Sequence, residues 1–407
     1  TDNHEWLHCL TYEQYLMQAS PVGRTYITCA SYDEMMTWAL PTKMQRELNR
    51  VRQELKNYPE LNRQAVRFMR GGFWRSFLAK YEEANNIQKR MLRASRRLRH
   101  LSEQYPGDER VEDAERLLHQ GQCNCAYWHG VFGGLYLNHL RTALYEKIIA
   151  ADQVMDQIEE LAGEYVAFEA TDFDADGNLE GVLENAHLAL FFSPTDGGTL
   201  FELDYKTKPF NFGNVLTRRE EVYHDQLREG RALIGQESQG DLSIHEMVKA
   251  KEADLDKLLV YDPYRRVSLR DHFFSQAEEL DVLWSGQEPD KGNFFKRVYS
   301  MESGDDCVVL SAQGVVDGVS AQLTKTITLS AGVSHFSVDY EIIFDKPLQE
   351  GILFGFEFVF NLLTGGAPDR YYHSENTDMR RARLGSRGVL DGISHIAACD
   401  DWQKLEL

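Results

Sequence analysis

The chain has 407 residues, 43% hydrophobic and 27% charged, with a formal net charge of −20. That balance gives apolar material for two or three domain cores, and it excludes collagen, mucin, a long coiled coil and wholesale disorder. No run approaches the roughly twenty apolar residues of a membrane span. No basic-then-apolar leader opens the chain, and six scattered cysteines fit reduced thiols in a cytoplasm better than a disulfide framework. The charge is uneven: residues 1–165 hold 21 Lys and Arg against 22 Asp and Glu, whereas the remainder holds 23 against 42. The second part repels a polyanion, so nucleic acid is not an expected partner, while an uncharged partner is indifferent to the field.

In chain order, Thr25 to Ala30 reads as a short strand, followed by a helix that Ser31 is placed to cap and that runs towards Trp38-Ala39-Leu40-Pro41. This is one βα step, and in an α/β barrel the loop after such a strand faces the active site. Residues 43–162 read as helical, rich in Leu, Arg, Glu, Gln and Ala, with breaks at Tyr58-Pro59 and Tyr105-Pro106-Gly107-Asp108. Phe73, Phe77, Leu78 and Tyr81 recur as one buried helical face. A basic run, Lys89, Arg90, Arg93, Arg96, Arg97 and Arg99, precedes the acids Glu103, Asp108, Glu109, Glu112, Asp113 and Glu115. It reads as a solvated face offset by those neighbours.

After Tyr165 the period becomes two. Val319, Ala321, Leu323, Ile327 and Leu329 alternate with polar residues, interrupted by Lys325. Phe336, Val338, Tyr340 and Ile342 form a second row, and Phe354, Phe356, Phe358 and Phe360 a third. Half-buried antiparallel strands give this pattern, and many of them predict a sandwich. One helical insertion is expected at Ser243 to Leu259. The mixed run Tyr264 to Phe273 reads as an inter-domain clamp or a binding edge, with structural use preferred. The first residue is Thr1 rather than Met, and the last residues resemble a strand in progress, so the chain reads as a piece of a longer protein.

The richest segment is Gln122 to Leu137, which crowds two Cys, Asn124, Tyr127, Trp128, His129 and glycines together. Trp128 offers a flat face for a pyranose ring, and His129 and Asn124 offer directional hydrogen bonds, the makeup of a sugar subsite. The alternative is a tight aromatic contact between helices with His129 in the core. Cys123-x-Cys125 lacks a second ligand pair at zinc spacing, so no metal is assigned there. Asp172, Asp174, Asp176 and Gly177 imitate the start of a calcium loop, but the twelfth position is Leu183 with Glu184 one place late. A polar turn is the preferred reading, calcium stays open, and no cofactor is assigned.

These residues carry a resemblance. Gln122–Leu137 with Asn138-His139-Leu140-Arg141 resembles the last signature region of glycoside hydrolase family 57, in its 4-α-glucanotransferase and α-amylase branch. Tyr26 to Met35 resembles the family's final barrel strand and loop. Gly72 to Leu78 with Glu83-Ala84-Asn85-Asn86 resembles its helical region, with Gln88 where a His is frequent. Leu200 to Tyr205, Arg218-Arg219-Glu220 and Tyr223-His224 resemble its carboxy-terminal β domain. The resemblance implies an α plus β multidomain protein: the end of a (β/α)7 barrel in residues 1–42, a helical subdomain in 43–165 and an antiparallel β-sandwich in 166–407. It implies retaining chemistry on an α-1,4-glucan or maltooligosaccharide, with two carboxylates roughly 5–5.5 Å apart. Residues 1–25 contain no matching carboxylate motif, so no catalytic residue is assigned and the chain is expected to lack the pair. Trp128, His129 and Asn124, with Tyr32 and Trp38 at the barrel mouth, are the implied substrate-binding residues. A non-catalytic α-glucan-binding protein is the alternative, and an α-mannosidase-like glycosidase a weaker one. The reading places the protein in the cytoplasm, away from membranes, and leaves an oligomer open.

Overall fold

Helices occupy the first part of the chain and antiparallel sheets the second, in the computed structural model, which describes residues 5–26, 31–130, 132–161, 165–229, 233–234, 249–250, 254–275, 291–374 and 382–407. The chain divides into two compact units, one up to Phe77 and one from Leu78 onward.

In the first unit, α1 (Tyr12–Gln18) opens with a reciprocal cap. The Thr11 hydroxyl accepts from the Gln14 N–H at 3.2 Å, and the Thr11 N–H donates to Gln14 Oε1 at 2.9 Å. Next come α2 (Asp33–Trp38), α3 (Thr42–Leu55) and α4 (Pro59–Ala65), the last with Pro59 in its first turn. Tyr32 rather than Ser31 stands at the start of α2, with no side-chain cap there; Asp33 and Glu34 put negative charge at that end instead. Backbone fixes α2: Gly72 N–H donates to the Met36 carbonyl at 2.7 Å, and a Cβ on Gly71 would lie 2.1 Å from that oxygen. Of the strand expected at Thr25–Ala30, residues 27–30 lie outside the described residues, and Thr25 and Tyr26 are irregular.

Helix α5 (Trp74–Lys80) leads into the second unit, followed by α6 (Glu82–Gln104), α7 (Glu109–Gly121) and α8 (Asn138–Ile158). The break before α7 is as read: Gly107 has φ +87°, and the Asp108 carboxylate accepts from the Arg110 N–H at 2.9 Å. Ala94, Leu98 and Leu101 of α6 meet Ala114 and Leu118 of α7 and Ile148, Ala151 and Met155 of α8 in one core. Phe77, Leu78 and Tyr81 are buried as expected, but Phe73 is exposed. The single face fails because α5 begins only at Trp74 and the chain breaks at Tyr81, so Phe73 never joins that helical surface.

Next comes a five-stranded antiparallel sheet in sequence order: β1 (Val166–Thr171), β2 (Glu180–Asn185), β3 (Leu188–Ser193), β4 (Thr199–Tyr205) and β5 (Phe210–Asn211). Strands β2 to β4 are buried on both faces. Leu183, Leu190, Phe192 and Leu203 point into the sandwich core, while Val182, Ala189, Phe191 and Phe201 form a second cluster with Phe173. The charges of α6 lie against that second face. The Arg90 side chain is sealed and bonds to Asp152 of α8 and to Glu202 and Asp204 of β4. Arg93 reaches Glu184 at 2.6 Å, and Arg97 reaches Asp156 at 2.6 Å. Arg90, Arg93 and Arg97 of the basic run therefore form an internal contact between helix and sheet, and only Arg96 and Arg99 stay exposed as read.

The chain continues with α9 (His224–Arg228) and a short parallel pair, β6 (Leu233–Ile234) and β7 (Lys249–Ala250). Most of the helix expected at Ser243–Leu259 lies outside the described residues. Its described part is β7 and a 3-10 turn, Leu255–Leu258, so no α-helix is described there.

Strand β8 (Arg270–Ser275) follows, then β9 (Ser300–Ser303), β10 (Cys307–Val316), β11 (Val319–Thr328) and β12 (Ser337–Phe344). The last four form one sheet in the order β12-β11-β10-β9. Asp317 and Gly318 both take positive φ, the two-residue turn a tight hairpin requires. Val308, Leu310, Ala321, Leu323 and Ile327 share the core with β2–β4, and Phe336, Val338, Tyr340 and Ile342 pack against it as read. Lys325, fully buried in that inward row, donates to the carbonyls of Gly198 and Leu269, each at 2.7 Å, and pairs with Asp271 at 2.9 Å. Strand β13 (Ile352–Glu357) pairs with β8, and β14 (Arg370–His373), β15 (Ala397–Asp400) and β16 (Leu405–Glu406) form a third small sheet. The Phe row holds only in part: Phe354 and Phe360 pack on the core, but Phe356, within β13, and Phe358, beyond its end, are exposed.

Candidate functional site

The segment between α7 and α8 folds back on itself. Asn124–Ala126 and Gly134–Tyr136 are 3-10 turns, and the Tyr127 hydroxyl donates to the Gly121 carbonyl at 2.5 Å. The Trp128 carbonyl accepts from the Leu135 N–H at 2.8 Å. Gly134, at φ +46°, passes so close that a Cβ there would stand 2.2 Å from the Trp128 oxygen. Gly130 lies against the indole, where a Cβ would come within 2.7 Å of the ring, so one edge of Trp128 is held while the residue stays partly exposed. Arg141 fixes the far end, donating to the Leu135 carbonyl at 2.5 Å and to Asn214 Oδ1 at 2.7 Å.

The predicted residues separate by burial. Asn124 is exposed, with the Cys125 thiol donating to its Oδ1 at 3.7 Å. His129 is only 2% exposed, edge-on to Tyr81 at 4.6 Å and tilted on Tyr136 at 5.0 Å. Burial first, then the charges of Lys80 and Arg219, push the His129 imidazole down to about 2, so it is neutral at ordinary pH. Tyr32 and Trp38 belong to the unit up to Phe77: Tyr32 is half exposed at the start of α2, and Trp38, at its end, is partly buried.

Behind His129 stands a network that sequence reasoning missed. Buried Glu221 accepts through Oε1 from the hydroxyls of Tyr81 and Tyr136, each at 2.6 Å, and through Oε2 from Lys80 Nζ at 3.2 Å. Arg219 lies over the Tyr81 ring and pairs with Glu83 at 2.6 Å. Burial raises the Glu83 carboxyl, but Arg219, Arg265 and the Thr217 N–H outweigh it and hold it down to about 2. The available signal was the mixed run of charge and aromatics around Arg219 and Tyr223, which has no spacing tying it to residue 129. A cavity of about 380 Å³ opens beside Lys80 and Arg219, with Thr217 and Arg265 on its wall.

The Tyr264–Phe273 run ties elements together. Arg265 pairs with Glu82 of α6 at 3.4 Å, Arg266 with Asp262 at 2.8 Å, and Arg270 with Asp196 at 2.7 Å. Among the described residues, the one group of acidic, His or Cys side chains placed to share an ion is Asp172, Asp174 and Asp176. Cys123 and Cys125 are exposed free thiols.

A helical bundle bearing an aromatic loop, packed on an antiparallel sandwich, is the carboxy-terminal half of a family of α-glucan enzymes. The family description "Alpha-amylase/4-alpha-glucanotransferase, C-terminal" matches residues 172–407, and the corresponding "middle domain" matches residues 72–155. The chain belongs to this family, glycoside hydrolase family 57. It is 39% identical over 362 residues to "Alpha-amylase 1" of Dictyoglomus thermophilum, covering 88% of this chain and 50% of that one. It is 35% identical over 348 residues to a 4-alpha-glucanotransferase of Thermococcus kodakarensis, covering 86% and 50%. The crystal structure of 4-alpha-glucanotransferase from Thermococcus litoralis superposes with a TM-score of 0.69 at 31% identity, over 90% of this chain and 50% of that one. The chain thus spans about half the length of these relatives. No helix among the described residues is long and apolar enough to cross a membrane.

Proposed function

We propose that the whole protein is a retaining enzyme of α-1,4-glucans, a 4-α-glucanotransferase or α-amylase, acting on maltooligosaccharides in the cytoplasm. In this reading residues 1–42 belong to the end of its (β/α)7 barrel, residues 43–165 to a helical subdomain and residues 166–407 to the β-sandwich. The two catalytic carboxylates come from the part of the protein outside this chain. This chain supplies a sugar subsite: Trp128 stacks on a glucose ring, exposed Asn124 orients a hydroxyl, and buried neutral His129 fixes the loop beneath them. Tyr32 and Trp38 are further glucan contacts in this reading, from the barrel end.

The observation that carries the reading is the Trp128 indole, partly exposed yet braced by Gly130, in a loop that lies within the matched middle domain. Stacking an indole on a sugar is worth about 1–3 kcal/mol by the apolar area it removes from water. Trp128→Ala in the full-length protein is therefore expected to lower kcat/KM on maltoheptaose about tenfold to a hundredfold, with a small change in Tm. A large fall in Tm with kcat/KM per folded molecule intact would assign Trp128 to the core. Product analysis on the same substrate separates transfer, which yields longer glucans, from hydrolysis.

A further inference from the structure

Phe356 and Phe358 are 48% and 40% exposed, yet they are not scattered. Phe356 stacks on Tyr340 at 5.3 Å and meets Phe358 edge-on at 5.5 Å, and Phe358 stacks on Phe360 at 5.4 Å. A contiguous exposed apolar face marks a binding place, whereas a lone exposed ring needs no explanation. Phe358 and Phe360 also line a cavity of about 710 Å³, with Leu362, Tyr372, Leu384 and Ile396 on its wall. That volume suits a small-molecule site. The Tyr372 ring is fixed there, its hydroxyl donating to the Leu384 carbonyl at 3.3 Å. The rest of the wall is charged but balanced. Arg218 pairs with Asp262 at 2.6 Å, Arg266 pairs with Asp262 at 2.8 Å and with Glu357, and the Tyr264 hydroxyl donates to Glu357 at 3.0 Å. Two cations meet two carboxylates, so a fatty acid, a phosphate or a charged peptide would have to break a pair. An uncharged polyol has only to share the donors and acceptors.

We propose that this face of the sandwich is a second binding place for α-1,4-glucan, besides the Trp128 subsite; the inference rests on the glucan reading above. Phe356 and Phe358 offer flat faces to the apolar sides of successive glucose rings, and the balanced charges of the cavity wall take their hydroxyls. The platform is rigid before any ligand arrives. The Val359 N–H donates to the Ser268 hydroxyl at 3.0 Å, and the Asn361 N–H donates to the Phe212 carbonyl at 2.7 Å. Backbone on either side of Phe360 is thus pinned to the sandwich, which lowers the ordering cost of binding. A long glucan that engages both Trp128 and this face gains by effective concentration, and a short one does not.

The test is affinity electrophoresis of the full-length protein in gels containing soluble amylose. The parent is expected to be retarded, and Phe358→Ala to weaken the apparent affinity about tenfold through the loss of one stacked ring. Phe358 lies beyond the end of β13, so the variant is expected to keep the parent Tm. Phe358→Trp keeps a flat ring and is expected to bind like the parent. Phe358→Leu keeps only apolar bulk and is expected to bind like Phe358→Ala. Should the alanine variant melt early, the comparison of Trp with Leu at matched Tm decides. Equal retardation of parent and Phe358→Ala, in a protein that acts on maltoheptaose, would overturn this inference alone. A parent neither retarded nor active on maltoheptaose would overturn the glucan reading with it. Leu binding as well as the parent would refute stacking. Self-association in sedimentation velocity that Phe358→Ala abolishes would give the face to a second copy instead.

Discussion

Two buried polar clusters flank the start of α6, and they are built differently. Around Arg90 every neighbour is sealed: Asp152, Glu202 and Asp204 surround one guanidinium, and the Tyr145 hydroxyl donates to Glu202 at 3.2 Å. Burial, then the adjacent Asp204, pushes the Glu202 carboxyl well up. Around Glu221 the network is equally ordered, but its outer layer, Tyr81, Tyr136 and His129, carries a loop whose indole is partly exposed. Dense pairing alone therefore does not mark a functional site. What sets the second cluster apart is the partly exposed indole above it, the subsite proposed for glucan.

The contrast breaks most sharply at Arg90. Arg90→Ala leaves three acids buried around an empty place and is expected to destabilise the fold by about 3–5 kcal/mol. Urea unfolding measures this, and kcat/KM of the folded fraction should be unchanged. Glu221→Gln is expected to cost about 1.5–3 kcal/mol, since it weakens charged hydrogen bonds from two tyrosines and a lysine. It should also lower kcat/KM severalfold by loosening the Trp128 loop. If Glu221→Gln moves Tm alone, the two clusters are the same kind of object. The smallest effect is in pH. His129 is held at about 2 in the folded chain against about 6.5 unfolded, so the unfolded chain takes up the proton first. Stability from this group is complete above pH 6.5 and falls by about 1.4 kcal/mol per unit as pH drops below it. Urea midpoints at pH 7, 6 and 5 should fall less steeply in His129→Gln.

The sequence spoke clearly where one physical constraint acted alone. Strands β10 to β12 alternate because one face meets the core and the other meets water, and Lys325 stood out as the break in its row. Arg90 misled because its partners lie 62, 112 and 114 positions away. A charged helix face looks solvated unless the acids of Leu200-Phe201-Glu202-Leu203-Asp204-Tyr205 are seen to point inward. That requires knowing that β4 is covered on both sides. The Trp128 loop stood out because rare residue types crowd within it, and Glu221 did not, because only folding brings Tyr81, Tyr136 and Lys80 to it. Phe73 erred because periodicity runs past an element's end, whereas packing stops there.

Lys325 bears on the order in which the sandwich assembles. Its ammonium must give up water, and the acceptors that replace it come from carbonyls 127 and 56 residues away. Neither the hairpin of β10 and β11 nor β8 alone can offer them, so the ammonium is paired only once both distant segments are in place. Such a contact closes long loops before any reward is returned. In a stopped-flow chevron, Lys325→Met is therefore expected to speed unfolding more than it slows folding. The buried lysine is thus a latch on the lifetime of the folded sandwich.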